Sequence, residues 1–233
     1  MTALAPLAYR DGEQALTGWL AQPAGQPRGA IVVYPTIVNA NAHMQRRAQM
    51  LADAGLVALV ADFYGQPVRD FVHAGELAAE LRADVDAYRR RLLAAISAMA
   101  EQCPDLPLAA IGYCMGGQAA LEVARTGADL RLVASFHGLL ETGRRADLPI
   151  PARLLICHGD ADPMVPRAHV IALWEEMDAV GANWHFHAYS GVKHGFTDPE
   201  SDARGLPAIA YSTSADRQSW AALMAMLDEV LED

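Results

Sequence analysis

The chain has 233 residues, 52% of them hydrophobic and 20% charged, a composition for a folded domain with a buried core and not for a disordered or fibrous chain. Lys and Arg number 18 against 28 Asp and Glu, and the net charge of −10 argues against a nucleic-acid backbone as partner. No apolar run approaches the ~20 residues of a membrane span, and the opening MTALAPLAYRDGEQ lacks the basic-then-apolar pattern of a secretory leader. Three cysteines without paired spacing fit free thiols in a cytoplasmic setting.

Short β-branched apolar runs alternate with longer amphipathic ones, the pattern of an α/β fold with a largely parallel sheet. ALTGWLAQP, after the Asp11-Gly12 turn signal, is expected to pair antiparallel with residues 7–10. GAIVVY is the first buried strand, followed by a helix over residues 44–54; LVALVAD is the second, followed by one long helix over about 74–102. Within that helix Arg89-Arg90-Arg91 reads as a solvated face. LPLAAIG is the third buried strand, with a helix over residues 116–126 after it. RLVASF and ARLLICHG follow as strands, then a helix over 166–181, the strand NWHFHAY and a closing amphipathic helix over 214–231. No repeat or linker interrupts the series, so residues 1–233 read as a single domain.

Chemistry enters at the turn after the third buried strand. Gly112-Tyr113-Cys114-Met115-Gly116-Gly117 is the G-x-S-x-G frame of a nucleophile elbow with sulfur in place of oxygen. The sharply bent backbone needs small neighbours, and Gly112 and Gly116 flank Cys114 at two residues on each side. The start of the following helix favours a thiolate over a thiol, which matters because a free cysteine titrates near ~8.5. Cys103, at a helix end before Pro104, and Cys157, inside a buried strand, read as structural.

A nucleophile of this kind needs a histidine to move protons and a carboxylate to orient it, on loops after later strands. ARLLICHG ends in an acidic loop with two candidates, Asp160 and Asp162, and NWHFHAY ends in a Gly-flanked loop carrying His194. Each gap is long enough for a β-α-β return, so all three groups can meet at the C-terminal edge of the sheet. His185 and His187 share one face of a strand, and His158 sits at a strand end. His43 and His137 lie near the expected active edge, as pocket lining or as structural groups. Cys157 and His158 point to opposite faces of their strand and cannot easily share a metal ion.

With these residues in place, the chain resembles the dienelactone hydrolase family of α/β-hydrolases. The resemblance runs from AIVVYPTIVNANAHMQRRAQMLADAGLVALVADFYG through GYCMGG and GDADPMVP to KHGF. It implies a mostly parallel sheet of about eight strands without a large cap domain, and a triad of Cys114, Asp162 and His194. The family's acid directly precedes xxVP, which selects Asp162 over Asp160. The backbone N–H groups of Ile37 and Met115 would form the oxyanion hole, as hydrolase geometry also demands, with Thr36, His137 and Phe196 lining the pocket.

Two positions depart from the family's pattern. Thr36 stands where dienelactone-cleaving members carry a glutamate that helps activate the thiol. Asp198 stands where they carry an arginine that grips a substrate carboxylate, so neutral substrates are expected to be preferred, with Arg204 the nearest cation on that loop. The expected activity is hydrolysis of a small-molecule ester or lactone, with no metal or organic cofactor and neither nucleic acid nor membrane as partner. The rival reading is a non-catalytic hydrolase-fold binding protein with Cys114 as a redox-sensitive thiol. A sensor would not require an acid–histidine pair, and that feature favours the enzyme.

Overall fold

The structure, a computed structural model, describes residues 4–231. The first three residues, part of the stretch read for a leader, and the last two lie outside the described residues. In chain order the elements are β1 (Ala5–Asp11), β2 (Gln14–Ala21), β3 (Gly29–Tyr34), α1 (Ala42–Asp53), β4 (Leu56–Val60), α2 (Phe71–Arg82), α3 (Val85–Gln102) and β5 (Leu108–Tyr113). Then come α4 (Met115–Arg125), β6 (Leu132–Phe136), β7 (Arg153–Gly159), α5 (Arg167–Ala179), β8 (Trp184–Tyr189), a short 3-10 turn at Asp202–Arg204 and α6 (Thr213–Leu231). The strands form one eight-stranded sheet in the order β1-β2-β4-β3-β5-β6-β7-β8. It is the mostly parallel α/β-hydrolase sheet expected from the sequence. No described helix is long and apolar enough to cross a membrane.

Contacts divide the chain into two compact units, Met1–Ala110 and Ile111–Asp233, the division falling inside β5. In the first unit β1 and β2 form an antiparallel hairpin in the register Leu7↔Gly18, and β2 pairs antiparallel with β4. β3 and β4 run parallel and are buried along their whole length, which is why both read as continuous apolar runs without alternation. In the second unit β6, β7 and β8 are parallel in series, with Phe136 opposite Cys157 and Cys157 opposite His187. β6 and most of β7 are buried, whereas β8, at the sheet's edge, is only part-buried.

The long helix expected over 74–102 is two helices. The first ends at Arg82 with Ala83 as its C-cap, and Asp84, in extended backbone, caps the next, its carboxylate accepting the N–H groups of Asp86 (2.9 Å) and Ala87 (3.1 Å). An aspartate cap satisfies helix-start amides that have no partner one turn back, and the apolar periodicity carries across the break and hides it. The arginine triplet also departs from expectation. Arg90 Nε and Arg91 Nε hold the two oxygens of buried Asp11 at 2.9 and 2.8 Å, and Arg91 also donates to the Phe63 carbonyl, so these two arginines tie the hairpin turn to α3.

The ADFYG stretch after β4 has a structural role within the first unit. Asp62 accepts from Asn39 Nδ2 (2.8 Å), from the N–H groups of Tyr64 and Gly65 (both 2.9 Å) and from the Thr17 N–H (3.0 Å). Asn39 takes a left-handed φ of 64° to close a turn, its N–H donating to the Thr36 carbonyl at 2.9 Å. The Tyr64 hydroxyl donates to the Ile37 carbonyl, also at 2.9 Å. Thr36 and Ile37, both singled out in the sequence, therefore sit on a turn held at each peptide.

Candidate active site

β5 delivers its chain into α4 through a single bent residue. Cys114 has φ 58° and ψ −119°, a conformation a residue with a side chain adopts only under restraint. The restraints are visible. A Cβ on Gly112 would lie 1.8 Å from the Gly116 carbonyl oxygen, so only glycine fits two residues before the bend. Gly117 and Gly138 face each other behind it, and a Cβ on either would fall within 2.8 Å of the other's backbone. The Cys114 carbonyl accepts from the Gly117 N–H at 3.0 Å as the helix begins. Met115, which follows Cys114, is the first residue of α4.

The other two cysteines occupy different environments. Cys157 is 1% exposed, and burial pushes its thiol up to about 12, partly offset by a hydrogen bond from Tyr189. Burial raises the Cys103 thiol as well. Cys114 is only part-buried.

The two aspartates on the loop after β7 separate cleanly. Asp160 is part-exposed and forms a two-pronged pair with Arg167 (3.0 and 2.8 Å), whose hydrogen bonds hold the carboxyl below its ordinary range. Asp162 is buried; its Oδ1 accepts from the Met164 N–H at 2.9 Å and its Oδ2 lies 2.7 Å from His194 Nδ1. Gly159 allows the approach, because a Cβ there would lie 2.4 Å from the Val192 carbonyl on the histidine's own loop. The structure thus brings Asp162 and His194 together and leaves Asp160 on the surface.

His194 is clamped on both sides, its N–H donating to Ala208 and its carbonyl accepting from Ala210. Its ring is buried, and burial alone would lower its pKa. The charge of Cys114 and the hydrogen bond with Asp162 outweigh that and raise it from 6.5 to about 10. Nε2 is buried, and of the influences that raise the ring the charge of Cys114 comes first, with hydrogen bonding to Asp162 and to Cys114 behind it.

His137, next after β6, is 2% exposed and is packed in rather than facing solvent, with a left-handed φ of 41°. Its ring lies edge-on to those of His194 and Phe196, both with centroids 5.1 Å away. Phe196 is fully buried. Thr197, which the sequence reading passed over, places its Oγ1 2.9 Å from His137 Nε2. Only its position three residues after His194 could have flagged it.

One electrostatic expectation is overturned. Asp198 is 4% exposed, its carboxylate is ion-paired with Arg204, and its Oδ1 accepts from the Glu200 N–H at 3.1 Å. Its charge is neutralised inside the loop, so it is not a bare acid set to repel a substrate carboxylate. Arg204, for its part, is committed to Asp198. Among the described residues no group of His, Cys, Asp and Glu is arranged to hold a metal ion.

Comparison with known proteins gives this geometry relatives. The model of the dienelactone hydrolase family matches residues 16–231. A probable 2-oxo-3-(5-oxofuran-2-ylidene)propanoate lactonase of Bradyrhizobium sp is 30% identical over 213 residues, 83% of each chain. The uncharacterized protein K02A2.1 of Caenorhabditis elegans is 37% identical over 144 residues, 60% of this chain and 91% of that one. Among solved structures, the dienelactone hydrolase-like promiscuous phosphotriesterase P91 from metagenomic libraries superposes with a TM-score of 0.89. It is 33% identical over 98% of this chain and 99% of that one.

Proposed function

We propose, from the premise that this chain belongs to the dienelactone hydrolase family and is an ester or lactone hydrolase, that Cys114 is its nucleophile, His194 its acid and base, and Asp162 the group that orients His194. The observation that carries the reading is the buried 2.7 Å pair of Asp162 and His194, whose pKa the charge of Cys114 raises. Charge on sulfur and charge on imidazole stabilise each other, and the carboxylate adds to that. A redox-sensing thiol would need no such pair.

In the proposed cycle the Cys114 thiolate attacks the substrate carbonyl, and the oxygen that becomes negative takes a hydrogen bond from the Met115 N–H at the start of α4. The carbonyl re-forms as the bond to the leaving oxygen breaks, and imidazolium His194 gives its proton to that oxygen. A thioester on Cys114 results, with His194 neutral. His194 then takes a proton from water, the hydroxide adds to the thioester, and collapse expels the thiolate and releases the acid. For a lactone, alcohol and acid leave as one molecule.

Two of the relatives support this substrate class. A lactone carbonyl and a phosphotriester are both electrophiles that collect charge on an oxygen when attacked. The test is turnover of aryl esters, lactones, thioesters and a neutral aryl phosphotriester by the wild type and by Cys114→Ala. The reading expects ester or lactone turnover that Cys114→Ala lacks; equal rates for the two proteins would overturn it.

A further inference from the structure

His137 has no part in this cycle, yet both nitrogens of its ring are turned on the elements that carry it. Its own N–H donates to the Cys157 carbonyl at 2.9 Å, which fixes the residue to the end of β7. Its Nδ1 accepts the Cys114 N–H at 3.1 Å, a hydrogen that Phe136 O also shares at 3.0 Å. Its Nε2 meets Thr197 Oγ1 at 2.9 Å, on the loop that carries His194. A neutral imidazole has one donor and one acceptor. Because Nδ1 faces an N–H, the proton belongs on Nε2 and is given to Thr197.

We propose that His137 is a positioning residue: a neutral, Nε2-protonated bridge that ties the bent Cys114 peptide to the His194 loop and so sets the sulfur-to-imidazole geometry. The inference rests on the reading of Cys114 as nucleophile. Three observations converge on it. Cys114 and His137 are two of three described non-glycine residues with positive φ, and a hydrogen bond joins them directly. Such strain persists where surroundings enforce it and concentrates at working sites. The His137 ring packs among those of Tyr113, His194 and Phe196. The His194 ring stands edge-on 5.1 Å away, so the bridge lies directly against the proposed base.

A bridge of this kind acts on kcat, since it aligns groups that meet in the transition state, and leaves ground-state binding alone. Each hydrogen bond lost should cost about tenfold. Thr197→Val, which keeps shape and removes the hydroxyl, should lower kcat about tenfold with KM within twofold, and Thr197→Ser should recover most of it. His137→Leu should lose about a hundredfold, and His137→Asn, which retains an acceptor near the Nδ1 position, should lose clearly less. Nitrogen-15 NMR of histidine-labelled enzyme reads the bridge directly and is expected to show an unprotonated Nδ1 and a protonated Nε2 on His137. Unchanged kcat in Thr197→Val and His137→Leu, with Cys114→Ala inactive, would overturn the inference while the nucleophile stands. So would an Nδ1-protonated or cationic His137. Full activity in Cys114→Ala would instead overturn the underlying reading, and this inference with it.

Discussion

At the scale of single residues, chemistry is decided by which of several similar side chains is buried beside what. Three thiols differ in that two are raised by burial, one of them to about 12, whereas Cys114, part-buried like Cys103, interacts by charge with His194. Brief iodoacetamide treatment at neutral pH should therefore label Cys114 first, read by mass spectrometry; earlier labelling of Cys103 or Cys157 would contradict the assignment. The acid and the base differ in kind. His194→Ala removes the proton carrier and should abolish ester turnover. Asp162→Asn leaves the carrier misoriented and should keep a residue of activity some 10²–10⁴-fold down. Asp160→Asn removes only a surface pair and should stay close to wild type, which kcat/KM on one aryl ester would establish. Arg204→Ala would strand the buried Asp198 carboxylate. Its partner is part-exposed, so the expected loss is about 1–2 kcal/mol in urea unfolding, between surface and buried pairs.

At the scale of elements, the helix behind the nucleophile is held by a buried charge cluster. Arg125, in the last turn of α4, makes a two-pronged pair with Glu176 of α5 (2.8 and 2.9 Å), binds Glu122 at 3.0 Å and donates to the Leu140 carbonyl. Glu176 Oε1 also accepts the Ala146 N–H at 2.8 Å, which draws the intervening loop into the same knot. Two carboxylates share one guanidinium, so the members are unequal. Neutralising Glu122 should cost little, because its charge opposes that of Glu176. Glu176→Gln should cost about 3 kcal/mol, because it loosens α5 and the loop together. Burial works against the Glu176 charge, but the hydrogen bonds from Arg125 prevail and hold its carboxyl below 4.5. A lowered carboxyl stabilises the fold above its unfolded value and loses that contribution as pH falls through the lower folded one, so the two variants should converge in stability on acidification.

For the molecule as a whole, the raised His194 sets the direction of pH dependence on the alkaline side. A group whose folded pKa exceeds its unfolded one contributes stability in full below 6.5 and loses it as pH climbs to about 10. Thermal midpoints of the wild type should fall across that window. Cys114→Ala lacks the group whose charge does most to raise His194 and should show a shallower fall; parallel curves for the two proteins would show that the coupling is absent. The net charge of −10 adds a general background that both share.

The sequence alone settled whatever depends on local pattern. The buried strands were legible because both faces of β3 and β4 are covered, which leaves unbroken β-branched runs. The elbow was legible because its backbone tolerates only glycine at Gly112, a demand written at fixed spacing around Cys114. The break at Asp84 was missed because the apolar period runs on through a cap whose evidence is two hydrogen bonds. The pairings of Arg91 with Asp11 and of His137 with Cys114 and Thr197 carry no local mark. They join residues that are apart in the chain and are brought within bonding distance by folding. Only the tertiary structure could turn Asp198 from a repelling charge into a neutralised one, and His137 from a candidate pocket wall into a bridge. A side chain's charge and hydrogen bonds are set by its neighbours in space, and the pattern along the chain records only its neighbours in sequence.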